Sequence, residues 1–161
     1  MASLRKSFLQ TLTSLAEKDD RIIFITGDVG FSFIEEFKSR FPNQYLNHGI
    51  MEQTMLGTAA GLAYQGWKPY VYTMKNFILL RAHEQLRNDI DHAAANVKLF
   101  GVGGSEAYRF LGMSHNLYEG EEQAILGTLK NTKTYQPLTE EDTNKMMLEE
   151  YENIGPAYTA I

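Results

Sequence analysis

Ile22-Ile23-Phe24-Ile25-Thr26-Gly27-Asp28 is the stretch on which the fold turns. An unbroken β-branched and apolar run suits a strand buried on both faces, as in a parallel sheet covered by helices. Gly27-Asp28 is a turn signal that ends it. Upstream, Leu4, Phe8, Leu12 and Leu15 recur at helical spacing and predict an amphipathic first helix. Downstream, a short helix around Phe33–Arg40 stops before Pro42, and Gln44–Asn47 reads as a second strand. Met51–Gln65 reads as a helix rich in small residues and closed by Gly66. Its Gly57, Ala60 and Gly61 permit close approach of another backbone. Pro69–Thr73 is a strand with proline at its first residue, where the missing N–H does least harm. Leu79, His83, Leu86 and Ile90 mark the next helix, and Val97–Val102 is another core strand. It runs into the glycine-rich loop Gly103–Gly120. Beyond lie a helix over Glu121–Leu129, a short strand Lys133–Gln136 and a helix capped by Thr139 with Asp142. Ala157–Ile161 reads as the last strand.

This alternation predicts a single α/β doubly wound domain over residues 1–161, with about six mostly parallel strands and helices on both faces. In such folds ligands sit beyond the carboxyl ends of the strands. The loops after Thr26, Asn47, Thr73 and Val102 are therefore where function is to be sought.

Composition narrows the function classes. The chain has 161 residues, 43% hydrophobic and 22% charged, which is ordinary for a globular domain with a real core. Its net charge of −5 gives no footprint for nucleic acid or an anionic membrane. With no cysteine there are no disulfides, no thiolate chemistry and no cysteine zinc site. No apolar run approaches the roughly 20 residues of a membrane span, so the expected compartment is the cytoplasm. His83-Glu84-Gln85-Leu86-Arg87 is half of a two-histidine zinc motif, with Arg87 where the second histidine belongs. Gly101-Val102-Gly103-Gly104-Ser105-Glu106 has Glu106 in place of the third glycine of a dinucleotide fingerprint.

Three segments carry potential chemistry. Asn47-His48-Gly49-Ile50-Met51-Glu52-Gln53 puts a carboxylate, Glu52, in the first turn of the small-residue helix. Helix-dipole stabilisation alone would also explain it. Thr73-Met74-Lys75-Asn76-Phe77 delivers an aromatic to the ligand edge of the sheet, although a core phenylalanine would look the same. Gly112-Met113-Ser114-His115-Asn116 places a histidine in a glycine-flanked loop, free to titrate or donate near neutral pH.

In this order the segments resemble the pyrimidine-binding domain of the transketolase and deoxyxylulose-phosphate synthase group. The resemblance runs from Arg5-Lys6-Ser7 to Gly155-Pro156-Ala157-Tyr158. It is most specific at Gly49-Ile50-Met51-Glu52-Gln53, followed by Ala59-Ala60-Gly61-Leu62-Ala63, Gly66 and Pro69. Arg81-Ala82-His83-Glu84-Gln85 is similar to the next helix of the synthase branch, and Ser114-His115 to the family's threonine-histidine pair.

The resemblance implies thiamine diphosphate as cofactor. A protonated, neutral Glu52 would hydrogen-bond the pyrimidine ring nitrogen and favour the imino tautomer that removes the thiazolium proton. Such a carboxyl is best kept in an apolar, water-poor site, and Ile50, Met51, Met55 and Leu56 flank it in the chain. Phe77 would stack on the pyrimidine, and His115 would contact the donor substrate. Asp28 and Ser32 match the loop near cofactor and sugar phosphate. Arg5 matches an arginine on the substrate phosphate, which a guanidinium suits.

The family's diphosphate- and metal-binding domain and its C-terminal domain are not among these residues. Gly27-Asp28-Val29-Gly30 has valine where the family's metal motif needs glycine, so no metal ligands are expected on this chain. Leu111 stands where transketolases usually carry a substrate-binding aspartate. With Met1 at the start and a strand at the end, a natural subunit of a split enzyme is expected, transferring a two-carbon ketol unit between sugars or sugar phosphates. A partner subunit would supply the diphosphate and Mg2+ site, a further chain would carry the C-terminal domain, and self-association would give a hetero-oligomer. The alternatives are a deoxyxylulose-phosphate synthase-like or 2-oxoacid decarboxylase subunit, or a non-catalytic interaction module.

Overall fold

A computed structural model of the chain describes residues 2–103 and 108–161. Strands β1 (Ile22–Thr26), β2 (Tyr45–Asn47), β3 (Lys68–Met74), β4 (Lys98–Val102), β5 (Lys133–Tyr135) and β6 (Ala157–Ala160) form one sheet in the order β2-β1-β3-β4-β6-β5. Every pairing is parallel. The helices are α1 (Ala2–Ala16), α2 (Glu35–Arg40), α3 (Glu52–Tyr64), the short α4 (His83–Gln85), α5 (Glu121–Leu126) and α6 (Glu140–Glu152). None among the described residues is long and apolar enough to cross a membrane.

The period of the strands decides what each helix covers. Ile22 and Phe24 of β1 join Tyr70, Tyr72 and Phe100 in one core, closed by Phe8 and Leu12 of α1 and Met146 and Met147 of α6. Ile23 and Ile25 point the other way, with Val71 and Leu99, and are closed by Met55, Leu56 and Ala59 of α3 and Leu86 and Ile90. All of β1 is buried, as two-sided coverage of a parallel sheet requires. Thr139 and Asp142 form the expected reciprocal capping box at the start of α6.

One local expectation comes out differently. The run marked by Leu79, His83, Leu86 and Ile90 is not a plain α-helix, because π-helical segments Phe77–Arg81 and Leu86–His92 flank α4. Ala82 N–H donates to Phe77 O, five residues back, at 3.1 Å. Such wide turns are rare and cluster at functional sites. On α3, Ala60 is buried in the core, whereas a β-carbon at Gly57 or Gly61 would meet nothing within 4 Å. The loop Gly103–Gly120 holds a 3-10 helix at Arg109–Ser114, and the rejected dinucleotide pattern lies partly outside the described residues.

Buried acids tie the scaffold together at places remote in sequence. Asp91 accepts from the backbone N–H groups of Lys130, Asn131 and Thr132 and from the Thr132 hydroxyl. Glu150 takes the buried Lys98 ammonium at 3.2 Å and the Tyr135 hydroxyl. Asp19 takes the Arg21 guanidinium, the Lys68 ammonium and the Tyr151 hydroxyl.

Hydrogen bonds from Arg21 hold Asp19 far below the usual carboxylate range. Burial pulls Asp91 and Glu150 upward, but their donors outweigh it and both end below their usual values. A carboxylate depressed in the fold contributes stability above its unfolded pKa of about 4 and loses it as pH falls through the folded value. The thermal midpoint is therefore expected to drop steadily from about pH 5 downward; a midpoint flat to about pH 3 would refute this. Asp91→Asn should cost about 1–3 kcal/mol in urea unfolding, because the amide nitrogen cannot accept and one loop N–H loses its partner.

Candidate functional site

The carboxyl edge is assembled by close packing of β1 against β3. A β-carbon on Gly27 would come within 3.2 Å of Thr73 Oγ1 and 3.5 Å of the Gly49 carbonyl. Glycine therefore lets the two strand ends and the turn before α3 converge. Asn47 Oδ1 accepts from the N–H groups of Asp28 at 3.1 Å and Gly49 at 2.9 Å. Asp28 is exposed and held at φ +55°, a left-handed conformation that aspartate tolerates better than most residues.

Glu52 opens α3 and is only 1% exposed. Its Oε2 accepts from Arg81 Nη1 at 2.6 Å. The same guanidinium lies 4.0 Å from the centroid of the Phe77 ring. At an exposed site such a cation–π contact is worth about 0.5–1 kcal/mol. Phe77 also meets the His115 ring, edge to face, with centroids 5.2 Å apart and planes at 65°. Glu52, Arg81, Phe77 and His115 thus form one continuous chain of contacts. His115 Nδ1 shares a 2.8 Å hydrogen bond with Ser114 Oγ. Asn76 Nδ2 donates to the Ser114 carbonyl at 2.8 Å, fastening the histidine loop to the end of β3. Asn116 Nδ2 donates to the carbonyls of Tyr108 and Gly112 and closes the loop on itself.

Comparison of the buried acids singles out Glu52. Asp19, Asp91 and Glu150 have donors on both carboxylate oxygens. Glu52 has one on Oε2, while Oε1 is buried without a partner. A buried acceptor left unmade costs about 1–3 kcal/mol. His48 Nε2, Thr73 Oγ1 and Asn76 Oδ1, also at the carboxyl edge, are likewise buried and unpartnered. Burial holds the His48 imidazole below its usual pKa. A concentration of unmet polar groups at one strand edge is what a ligand with several donors and acceptors would satisfy.

The apolar surroundings expected for Glu52 are only half present. Met55 and Leu56 are fully buried, but Ile50 and Met51 are 69% and 53% exposed. A helix's first residue is followed into the core by the next turn, while the residues before it stay on the outer rim. Arg81 supplies the remaining contact, and sequence reasoning gave it no role. One signal was available: Arg81 follows Phe77 by four residues, which places both on one helical face.

Arg5 and Ser32 lie apart from this chain of contacts. The Arg5 guanidinium is 6.0 Å from the Phe33 ring. Burial pushes the Tyr72 hydroxyl up, and Arg5 beside it pulls it back. Ser32 is exposed at φ +62°, its N–H donating to Glu35 Oε1 at 2.7 Å. Among the described residues no hydrogen bond, ion pair or ring contact joins either one to Glu52, Phe77 or His115.

Known proteins share this arrangement of chain. A family profile described as the transketolase pyrimidine-binding domain matches residues 1–160. Over 148 residues the chain is 34% identical to a subunit of an apulose-4-phosphate transketolase from Phocaeicola vulgatus, covering 91% of this chain and 47% of that protein. A 1-deoxy-D-xylulose-5-phosphate synthase from Listeria monocytogenes is 34% identical over 139 residues, 84% of this chain and 22% of that one. Among solved structures, a split-gene transketolase described as an inactive β4 tetramer superposes with a TM-score of 0.85 at 28% identity. That match covers 98% of this chain and 50% of the other. The chain thus spans about half the length of the apulose-4-phosphate transketolase chain it matches, and less of the synthase. A parallel six-stranded sheet, a buried glutamate at its carboxyl edge and these matches lead to one conclusion: the chain belongs to the transketolase pyrimidine-binding domain family.

Proposed function

We propose that this chain is the pyrimidine-binding part of a split, thiamine diphosphate-dependent transketolase-like enzyme that moves a two-carbon ketol unit between sugars or sugar phosphates. The observation that carries the reading is the buried, unpartnered Oε1 of Glu52 beside Phe77's guanidinium-capped ring, in a chain of this family. These residues fit an aminopyrimidine, which needs a carboxyl partner for a ring nitrogen and a flat apolar surface for its face.

When bound, the cofactor supplies a carbon nucleophile toward the ketose donor. The chain's own residues bind, orient and move protons around it. Glu52 Oε1 meets the pyrimidine ring nitrogen and holds the shared proton there. Phe77 sets the plane of the ring. His115, its Nδ1 held by Ser114 and its loop fastened by Asn76, stands against Phe77 where it would contact the donor substrate. Asp28, tied to the turn before α3 through Asn47, is proposed to face the cofactor, and Arg5 and Ser32 to serve the substrate phosphate.

A second, partner chain is proposed to hold the diphosphate and Mg2+. The matched split-gene transketolase tetramer is called inactive, which agrees with a β-type chain needing a second one. The assembly is a hetero-oligomer with at least two copies of this chain, in the cytoplasm. The 34% identity to a deoxyxylulose-phosphate synthase supports a second reading, condensation of a 2-oxoacid with an aldehyde on the same site. Assays with a ketose donor and with pyruvate separate the two.

Calorimetric titration of the chain alone with thiamine diphosphate and Mg2+ is expected to give no measurable binding; tight binding would sink the shared-site reading. In the assembled enzyme, Glu52→Gln should keep the cofactor and lose on the order of 100- to 10,000-fold in turnover. Near-normal turnover would mean that another residue carries the proton. His115→Ala should slow ketol transfer with cofactor affinity nearly unchanged, and a loss of cofactor would return His115 to a packing role.

A further inference from the structure

Among the described residues, Arg81 joins the two groups assigned above to the pyrimidine, with one contact to each. We infer that Arg81 is a positioning residue, whose guanidinium pins Glu52 Oε2 and the Phe77 ring together so that Glu52 presents Oε1 alone to the cofactor. This rests on the reading that Glu52 and Phe77 meet the aminopyrimidine.

The geometry carries it. A carboxylate has two equivalent oxygens and, left to itself, can rotate either one toward a ligand. The 2.6 Å contact from Arg81 Nη1 occupies Oε2 and leaves Oε1 as the buried oxygen with no donor. A guanidinium is planar and delocalised, so it can donate in its plane and lie over an aromatic ring at the same time. Arg81 does both, with its carbon 4.0 Å from the Phe77 centroid. Phe77 and Arg81 open and close one π-helical turn, with the guanidinium lying over the ring. Arg81 is 43% exposed while Glu52 is 1% exposed, so the arginine approaches from the open rim and the glutamate stays in the wall. A purely structural ion pair would look like Lys98 with Glu150, buried on both sides and with every carboxylate oxygen partnered.

The test uses the chain assembled with its diphosphate-binding partner and reads the dissociation constant of thiamine diphosphate as well as turnover. Arg81→Met keeps the stem and removes both contacts; it should weaken binding on the order of 10- to 100-fold, the loss typical of a small misplacement. Arg81→Lys keeps the charge next to Glu52 but cannot stack flat, and should recover part of that loss. In a Glu52→Ala background, Arg81→Met should have a clearly smaller effect, because the group it positions is gone. Wild-type binding in Arg81→Met overturns the inference, and so does tighter binding, which would make Arg81 a competitor for the site. Arg81→Lys no better than Arg81→Met also overturns it. If Arg81→Met unfolds the assembly, Arg81→Lys at an unchanged thermal midpoint carries the comparison. Should Glu52→Gln lose turnover while Arg81→Met changes nothing, only this inference fails; if neither matters, the functional reading fails with it.

Discussion

A parallel sheet buries both of its faces, and that constraint governs the molecule. Each strand must be apolar in both directions, so its side chains are committed to the cores on either side and cannot serve a ligand. Ile22 and Phe24 fill one core and Ile23 and Ile25 the other. Chemistry is left to the strand ends, and the parallel pairing brings their carboxyl ends to one edge. Gly27 and Thr73 show how close the ends lie, with room for no β-carbon between them except under strain. Asn47 then braces the loop after β1 against the turn that begins α3. The site is thus built on backbone that the sheet has already fixed.

Within that frame, the energetics of buried carboxylates separate scaffold from site. Burying a charge is costly unless it is paired and hydrogen-bonded. At Asp19, Asp91 and Glu150 the fold meets this cost in full, and each joins segments far apart in sequence. At Glu52 it meets only half, through Arg81. Stability alone would favour a second donor or a smaller apolar side chain at that position. A fold that leaves one oxygen of a wholly buried acid unmatched gives up stability there, and binding of a group that shares a proton with it is what recovers it.

The sequence revealed the sheet more readily than the site, for a physical reason. Strand character is local: Ile22–Thr26 and Val97–Val102 read as buried strands from their own residues, and the box at Thr139 and Asp142 from two side chains three positions apart. Family resemblance singled out Glu52, Phe77 and His115, and in space they are joined by contacts that run through Arg81. What remained hidden depends on pairs distant in sequence. Arg81 meets Glu52 across 29 positions, and Asn76 meets Ser114 across 38. Nor can apolar spacing distinguish an α-helix from the π-helical turns around α4, because both bury Leu79, Leu86 and Ile90. Reading the environment of Glu52 from its chain neighbours failed for a related reason: Ile50 and Met51 adjoin it in sequence and face outward in space.

Those outward-facing residues bear on what completes the site. Ile50, Met51, Leu80 and Met113 are all large, apolar and about half exposed or more, and each lies within two positions of Glu52, Arg81 or His115. Single exposed apolar side chains are ordinary on any surface, but a group that borders one polar site is a different matter. A small ligand lodged on Glu52 and Phe77 would cover only the innermost of them. Further along α3, a β-carbon at Gly57 or Gly61 would meet nothing within 4 Å, so that side of the helix is open as well. A protein surface laid across this edge would bury the apolar rim, exclude water from Glu52 and strengthen every electrostatic contact made there. The proposed partner would therefore do more than carry the diphosphate: by closing the rim it would create the dry surroundings that Ile50 and Met51 do not provide while they face solvent.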